Sequence, residues 1–549
     1  MSRTRSAVAA VAASTVLVLV PAVTDVTSAP ASAVTGRVNQ LQVPGTVEVD
    51  QKVTITGTIG RGKRGVQLQI RPDGTRTWNT VGRTSTNAQG AFVFASHVFR
   101  HAPANPLPKP MDVRVYAPSA GDRPADTTVV KRVRVVNPRP GTLGPLSLVS
   151  VGSDERLGDG TSGENGYTTS GDGRYVVFDS NASWTDPTRK RLFLQVFLRD
   201  RVAGTTTLVS RALDGRQPRG HSFVPFISAD GTWVVFWSEA AGLVKNDSNG
   251  RGDMFWWNRE TGRITMVKGL PADTKNRGVR PLALSADGRF LAFASNRPDL
   301  APAPKDGSMD LYVLDRQSGI AEQMPTPPTD PGLGIDEMFA VSMSDDGRYV
   351  AYAVDVDERD PWDYVDNREL VFVDRTLGTT RSIPMDPAGI RGANDDLDVR
   401  ATWMSADGGV VAYSAPVADG DSYATNDTAV YLWHSSTGEA EMMPGTFFNG
   451  SGETGRLLRP SLSADTRYVA LRISAGYDTY LYRVDTAAGT AEELVTYRPG
   501  SHGYTPNWGD PVITADGSTV MFGLDAREAY VPHDVNEVRD VFAWVADPG

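Results

Sequence analysis

The stretch Val224-Pro-Phe-Ile-Ser-Ala-Asp-Gly-Thr-Trp-Val-Val-Phe-Trp-Ser238 places two apolar runs on either side of Asp230-Gly231. Asp-Gly between apolar runs is a strong β-hairpin signal and predicts a type I′ turn, in which both central residues have positive φ. A third apolar run, Met254–Trp257, follows a polar loop. The stretch therefore predicts at least three antiparallel strands.

The hairpin turn recurs seven times, at intervals of 51 to 61 residues. Its Asp residues are Asp172, Asp230, Asp287, Asp346, Asp407, Asp465 and Asp516. Ser stands two residues before the Asp in six copies and Thr514 in the last, and Gly follows the Asp everywhere except at Thr466. An apolar run comes after each turn, as expected for a second strand that leaves a hairpin.

A second turn follows the third strand of each of the first six copies and ends in Gly. These glycines are Gly204, Gly262, Gly319, Gly378, Gly438 and Gly489. A fourth strand is expected after each of them. Four short antiparallel strands at a fixed period describe a propeller blade, although common propeller repeats are only ~40–50 residues long. The sequence predicts an all-β protein containing a seven-bladed β-propeller.

The seventh copy ends before its fourth strand. Upstream of the first copy, Leu148-Val149-Ser150 repeats Leu208-Val209-Ser210 of the first outer strand. We therefore expect the segment that begins near Leu146 to pair with the last blade and close the ring. A closed ring leaves few unpaired strand edges on which other chains could aggregate.

The repeated Ser-x-Asp-Gly turns, each followed by an aromatic-aliphatic strand, resemble the TolB-type propellers, a WD-repeat-like family. The resemblance covers roughly residues 146–549. Because the motif residues make turns and core, it implies the fold. For function it implies only a scaffold that holds partner proteins or cell-envelope components.

Residues 1–33 have the pattern of an export signal. Arg3 and Arg5 give a positive start, residues 7–23 are apolar, and Ala31-Ser32-Ala33 is a small-residue cleavage site. No later segment is apolar enough to be a transmembrane span. The chain contains no Cys, which excludes disulfides and a lipid-anchored Cys. We expect a secreted protein, extracellular or associated with the cell wall.

Residues 34–137 alternate between apolar and polar side chains in several short runs separated by Gly, Pro and Asn, which predicts a β-sandwich. The layout resembles bacterial immunoglobulin-like (Ig-like) modules. Trp78 is expected to pack between the two sheets. Residues 138–145 are rich in Pro and Gly and predict a stiff linker before the propeller of residues 146–549.

Charge is divided unevenly between these parts. Residues 34–137 carry 15 Lys and Arg against 6 Asp and Glu, a net charge of +9, whereas residues 138–549 carry −20. The basic module could dock on the acidic propeller or contact an anionic cell-wall polymer. Nucleic acid is excluded as an expected partner, since the main domain is acidic and the chain carries an export signal.

The segment Asp247–Asp253 imitates the start of a calcium loop but lacks the Glu that closes an EF-hand. Its Asp253, like Asp310 and Asp540, can instead cap the start of a third strand. A structural cation and simple capping both fit the pattern, and capping is the interpretation that we adopt. The six His residues show no zinc spacing, and the sequence predicts neither a metal nor a cofactor.

Unusual side chains concentrate in the loops between sheets and in those after the second strands, which share one rim of the ring. The candidate binding residues there are Arg219, His221, Trp362, Tyr364, His502, Tyr504 and Trp508. Aromatic rings beside polar groups suit a sugar or a peptide. Loop aromatics can equally pack beneath their own loops, so two interpretations are open.

We expect a monomeric binding scaffold whose rim holds a protein or a cell-wall glycan. The alternative is a secreted carbohydrate-active hydrolase or lyase with acidic residues at the propeller axis, because such enzymes need only two well-placed carboxylates. The segment Gly220-His221-Ser222-Phe-Val224 lacks the second Gly of a nucleophile elbow, and no α/β-hydrolase sequence follows the propeller. A peptidase gated by the propeller is therefore not expected.

Overall fold

The computed structural model describes residues 39–48, 51–72, 75–98, 110–136, 145–184, 193–245, 247, 252–268, 270, 279–296, 300, 310–325, 335–356, 367–384, 402–416, 428–443, 455–475, 478–497, 509–525 and 538–546. All regular secondary structure in these residues is β-strand. Among them, no helix is long and apolar enough to cross a membrane. The predicted export signal and most of the linker lie outside the described residues.

The N-terminal part contains nine strands: β1 (Gln40–Gln42), β2 (Thr46–Glu48), β3 (Lys52–Thr58), β4 (Gly65–Pro72), β5 (Asn79–Ser85), β6 (Ala91–Val98), β7 (Met111–Ala117), β8 (Asp126–Thr127) and β9 (Lys131–Val136). One sheet has the order β1-β3-β6 and the other β2-β9-β7-β4-β5, with β8 beside β7. Alternate side chains such as Leu68, Val113 and Val133 are fully buried. The period-two pattern thus places one face of β1–β4, β6, β7 and β9 in a shared core, whereas β5 and β8 contribute no residue to it.

Trp78 does not pack between these sheets, and that prediction is wrong. Its ring lies 4.1 Å from the guanidinium carbon of Arg114 and 4.8 Å from that of Arg71. Arg114 lies between Val113 and Val115, both fully buried, so its side chain points away from the core. Trp78 therefore covers the outer face of the larger sheet, where two cations contact its ring.

Strand β10 (Leu146–Leu148) precedes six sheets of four consecutive strands each. The first three are β11 (Ser162–Thr169), β12 (Tyr175–Ser180), β13 (Gln195–Asp200), β14 (Thr205–Leu208); β15 (Ser222–Ile227), β16 (Trp233–Ser238), β17 (Asp253–Asn258), β18 (Arg263–Met266); and β19 (Val279–Leu284), β20 (Phe290–Ser295), β21 (Asp310–Asp315), β22 (Ile320–Gln323).

The next three sheets are β23 (Ile335–Met343), β24 (Tyr349–Val356), β25 (Asn367–Asp374), β26 (Thr379–Ile383); β27 (Thr402–Met404), β28 (Val410–Pro416), β29 (Thr428–His434), β30 (Ala440–Met442); and β31 (Gly455–Leu462), β32 (Tyr468–Ala475), β33 (Asp478–Asp485), β34 (Thr490–Tyr497). Strands β35 (Val512–Ile513), β36 (Thr519–Asp525) and β37 (Arg539–Val545) follow. These antiparallel four-stranded sheets confirm the prediction of an all-β protein with a β-propeller.

Strand β10 joins the last three strands in one sheet with the order β10-β37-β36-β35. Leu146 is opposite Trp544, and Leu148 is opposite Phe542. The hydroxyl of Ser150 donates to a carboxylate oxygen of Asp540 at 2.6 Å. The predicted pairing of this segment with the C-terminal strand is therefore confirmed.

The Ser-x-Asp-Gly turns are stabilised by their own side chains. The hydroxyl of Ser228 donates to the Asp230 carboxylate and accepts the backbone N–H of Trp233 at 2.9 Å. The N–H of Gly231 donates to the Ser228 carbonyl at 2.8 Å. Gly231 has a φ of 70°, whereas Asp230 is not left-handed. The predicted type I′ turn is therefore wrong: one left-handed residue, not two, completes each turn.

Backbone hydrogen bonds also connect turns of neighbouring sheets, through the residue that follows the Ser or Thr. Described donor-to-acceptor pairs are Gly171 to Ala229, Ala286 to Asp345, Asp345 to Ala406, Ala464 to Ala515 and Ala515 to Gly171, at 2.9–3.0 Å. The last bond connects the final turn to the first one. Small residues occupy most of these positions, which lets the backbones approach closely.

In the part of the chain that the structure describes, an ion pair connects the N-terminal part to the four-stranded sheets. Arg156 Nη1 lies 2.8 Å from Glu48 Oε1. Here the acid belongs to the basic N-terminal part and the base to the acidic part, the reverse of the polarity expected if charge drove docking. This contact therefore does not use the positive surplus of the N-terminal part.

Candidate functional site

Two of the seven predicted rim residues lie in the part of the chain that the structure describes. Arg219 is exposed, and His221 is half-buried immediately before β15. The other five, Trp362, Tyr364, His502, Tyr504 and Trp508, lie outside the described residues. The geometry at the rim is therefore built from the first two four-stranded sheets.

The backbone around His221 fixes the orientation of its ring. Nδ1 accepts the backbone N–H of Leu194 at 3.2 Å, so the neutral ring carries its proton on Nε2. The ring of Phe193 meets it edge-on, with 5.2 Å between the ring centroids. The backbone N–H of His221 donates to the Glu239 carboxylate at 3.3 Å. His221 is thus held as a hydrogen-bond donor beside an exposed acid.

Phe223 and Trp237 form a cross-strand pair next to His221 and Glu239. Their ring centroids are 4.6 Å apart, and both side chains are half-buried. His221 and Glu239 flank this hairpin, one residue before β15 and one residue after β16, and the N–H of Glu239 donates to the His221 carbonyl at 3.0 Å. We call these four residues the rim block. It places an aromatic pair, a donor and an acid at the end of the hairpin opposite its turn.

The rim block has the composition of a site for a sugar or a peptide, since its rings supply apolar area and its polar ends supply hydrogen bonds. Sequence reasoning found His221 but missed Phe223, Trp237 and Glu239. The missing signal was the register of β15 against β16, which brings Phe223 and Trp237, 14 positions apart, into one pair. In the described residues no group of three or more His, Asp or Glu side chains is arranged to hold a metal ion.

A second polar cluster joins the first four-stranded sheet to the last. The Tyr167 hydroxyl donates to the Asp510 carbonyl and accepts the N–H of Gly523 at 2.8 Å. Arg539 packs beside Gly523 and is only 7% exposed. Burial, opposed in part by Arg539, raises the pKa of Tyr167. The phenol stays neutral and ties two distant segments together.

Asp179 belongs to this polar cluster, which we call the seam, and it is fully buried. Burial raises the pKa of its carboxyl to about 6, although hydrogen bonds from Asn165 favour the charged form. The Asn165 side-chain amide donates to Asp179 at 2.7 Å, and its backbone N–H donates at 3.1 Å. The carboxyl is therefore enclosed under Asn165, where it orders the backbone of the first inner strand.

The acids at the starts of third strands have protein partners. Asp540 accepts from Ser150, as described above, and Asp310 accepts a side-chain N–H of Gln323 at 2.8 Å. Burial and the nearby Asp253 raise the pKa of Asp247. These contacts support capping at Asp310 and Asp540. Most residues between Asp247 and Asp253 lie outside the described part of the chain.

No protein-family model matches the sequence, and no curated protein matches it. Among solved structures, the match to an oligogalacturonate lyase in complex with manganese covers 71% of this chain and 91% of the lyase, with 14% identity and a TM-score of 0.44. The match to TolB from Acinetobacter baumannii covers 73% of this chain and 79% of TolB, with 12% identity and a TM-score of 0.32. The match to Porphyromonas gingivalis dipeptidyl peptidase 4 covers 66% of this chain and 57% of the peptidase, with 14% identity and a TM-score of 0.32.

TolB, whose propellers the Ser-x-Asp-Gly turns resemble, is thus one of the matched structures. At such identities and TM-scores, the likenesses carry no information about ligand or activity.

Proposed function

We propose that the chain is an exported binding scaffold, in which a seven-bladed TolB-like propeller of residues 146–549 presents one rim to a protein or cell-envelope ligand. An Ig-like sandwich of residues 34–137 precedes it, after a signal of residues 1–33 and before a linker of residues 138–145. The turn-to-turn hydrogen bond from Ala515 to Gly171 and the pairing of β10 with β37 support a closed ring.

The rim block is the observation that carries the binding role. The Phe223–Trp237 pair is only half-buried, although its ring centroids are 4.6 Å apart, with the ring planes tilted by 39°. Exposed aromatic area beside a positioned donor and an acid is costly to leave in water and typical of ligand sites. The exposed Arg219 lies two residues from His221 and adds a cation to the same rim.

The test uses residues 34–549 on a glycan array and on an array of peptides from cell-envelope proteins. We expect a defined class of glycan or peptide to bind and the H221Q/E239Q variant to lose most of that binding. Gln at position 221 can still accept the Leu194 N–H, so the fold is kept while the imidazole is removed. R263Q, an exposed cation on the outer strand β18, is the matched surface control.

If the wild type binds and both H221Q/E239Q and R263Q bind equally well, the ligand site lies elsewhere and this assignment is overturned. An absence of binding to either array would do the same.

The alternative function, a carbohydrate-active hydrolase or lyase, needs an acid that can donate a proton, and Asp179 is the candidate, since burial raises its pKa to about 6. An acid with a pKa of about 6 can donate a proton near neutral pH. Its complete burial beneath Asn165 favours the structural role instead. If the wild type but not D179N releases new reducing ends from acidic glycans, the protein is a carbohydrate-active enzyme that depends on Asp179.

A further inference from the structure

The outer face of the six-stranded N-terminal sheet concentrates positive charge. It is the side of β4, β7 and β9 that points away from the core, and we call it the basic face. It carries Arg71 on β4, Arg114 on β7, and Arg132 and Arg134 on β9. Each alternates with buried or partly buried apolar residues of the same strand, so the four side chains lie on the same face of the sheet.

Among the described residues, the carboxylate that contacts these cations is that of Asp112. Asp112 Oδ2 accepts from Arg71 at 2.7 Å, and its Oδ1 lies 3.7 Å from Arg132 Nη1. The neighbour of Arg114 across the strands is the neutral Gln69, whose Oε1 accepts the Nε–H at 3.0 Å. Within the described residues, the terminal nitrogens of Arg114 have no hydrogen-bond partner. In the described residues, no carboxylate contacts the guanidinium group of Arg114.

The contacts of Asp112 show which ligand chemistry fits. The Asp112 carboxylate accepts a hydrogen bond from Arg71 and forms a longer ion pair with Arg132, on the two strands that flank β7, so this face accommodates a carboxylate between guanidinium groups. Arg114 has the same kind of group without an acid. Burial and the nearby Arg71 lower the pKa of Arg114, in keeping with cations held close together.

The neutral groups around Arg114 indicate a glycan rather than a bare anion. Thr80 Oγ1 and the Gln69 amide bond to each other and to Gln67 in one network at 3.1–3.4 Å. Such hydroxyl and amide groups can exchange partners with sugar hydroxyls. Trp78 and Tyr116 lie within 5.9 Å of the Arg114 guanidinium carbon and supply flat apolar area.

The side chains of the basic face are exposed to solvent, and the rest of the described chain does not cover them. The Arg132 side chain is 56% exposed and that of Arg71 is 35% exposed. Arg134 is exposed as well. The described ion pair between the two parts of the chain uses Glu48, which is not one of these cations.

We propose that the basic face binds an acidic polysaccharide, with carboxylates of its uronate residues held by Arg114 and its neighbours. This site is independent of the rim block and goes beyond the scaffold role proposed for the propeller.

The experiment measures binding of residues 34–549 to alginate, a soluble polyuronate, by affinity electrophoresis, with dextran as the neutral glycan and polyphosphate as the non-sugar anion. We expect retardation by alginate alone and weakening at higher salt, since the contact is ionic. The R114Q variant should bind alginate about tenfold more weakly, the loss expected for one charge-assisted hydrogen bond of about 1.4 kcal/mol. R134Q should weaken binding less, as a more peripheral cation.

The matched control is K52Q, which removes one exposed charge from β3 on the other sheet. Circular dichroism and thermal unfolding verify that each variant is folded. An equal loss in K52Q and R114Q would reduce the effect to net charge and overturn the site. Polyphosphate binding as tight as alginate binding would overturn the choice of a carboxylated glycan, and no binding by the wild type would overturn the proposal entirely. Retention of alginate binding in H221Q/E239Q distinguishes this site from the rim block.

Discussion

The guanidinium carbon of Arg316 lies 3.7 Å from the centroid of the Trp233 ring in the neighbouring sheet. Its Nε donates to the carbonyl of Gly288, in its own Ser-x-Asp-Gly turn, at 2.8 Å. One side chain therefore joins a turn to the sheet beside it. The same position is occupied by Arg259 above Tyr175, at 4.3 Å, and by Arg375 above Phe290, at 4.8 Å.

Replacing Arg316 by Lys should lower the free energy of unfolding by about 1–2 kcal/mol, because an ammonium cannot both stack on an indole and donate from a planar fork. Urea unfolding measures the change. R263K, at an exposed position on β18, should change the value by less than about 0.5 kcal/mol. Equal values for the two variants would contradict a stabilising role for the stacked pair.

Thr466 occupies the turn position that Gly holds in the other repeats, and it has a φ of 64°. A β-branched residue is strained there, so T466G should raise the free energy of unfolding by about 1 kcal/mol after the entropy cost of Gly. The reverse change at Gly378, where φ is 63° and an added Cβ would meet no atom within 4 Å, should be destabilising by a similar amount. Thermal unfolding of both variants tests this, and a loss of stability in T466G would refute it.

The closure of the ring predicts that Leu148 behaves as a core residue although it precedes the first four-stranded sheet. Leu148 is 9% exposed and packs with the strands of the last sheet. L148A should cost about 2–3 kcal/mol, the value typical of a cavity in a core. L208A, at the equivalent outer strand of the first sheet, should cost a similar amount.

The matched control for closure is L213A, because Leu213 is 62% exposed. If L148A is as mild as L213A in urea unfolding, the N-terminal segment does not stabilise the last sheet.

Asp179 predicts a pH dependence of stability. The pKa of this carboxyl is about 6 in the folded protein, above its ordinary value of 3.8, so the folded state binds the proton more tightly. The free energy of unfolding should therefore fall as the pH rises from about 4 through about 6, by up to about 3 kcal/mol for a shift of this size.

D179N cannot titrate, so the difference in stability between the wild type and D179N should change over that pH range and be constant above about pH 7. Urea unfolding at a series of pH values measures it. A difference in the free energy of unfolding that is constant from pH 4 to 7 would show that the pKa of Asp179 is not raised.

The turns were predictable because their chemistry is local. Ser228, Asp230 and Gly231 act on backbone groups within five residues, and the same pattern returns at each repeat. The turn type was mistaken because Asp-Gly alone does not specify the conformation of Asp. The hydroxyl of Ser228 stabilises a turn in which only Gly231 is left-handed.

Neither the seam nor the side of the sheet on which Trp78 packs could be inferred. Tyr167 accepts a hydrogen bond from Gly523, 356 residues away, and no local pattern relates the two. Trp78 lies between Thr77 and Asn79, so alternation gives no preference for the inner face. The rim block was found only in part, since pairing Phe223 with Trp237 requires the register of the hairpin.

The bond between Ser150 and Asp540 spans 390 residues, whereas the six sheets from β11 to β34 each form between strands consecutive in the chain. At a synthesis rate of roughly 5–20 residues per second, about 20–80 s separate the appearance of β10 from that of its partner. Most sheets can assemble while the chain emerges, but β10 has to wait. A nascent or truncated chain therefore leaves the edges of the last sheet unpaired for that whole interval, and unpaired strand edges promote aggregation.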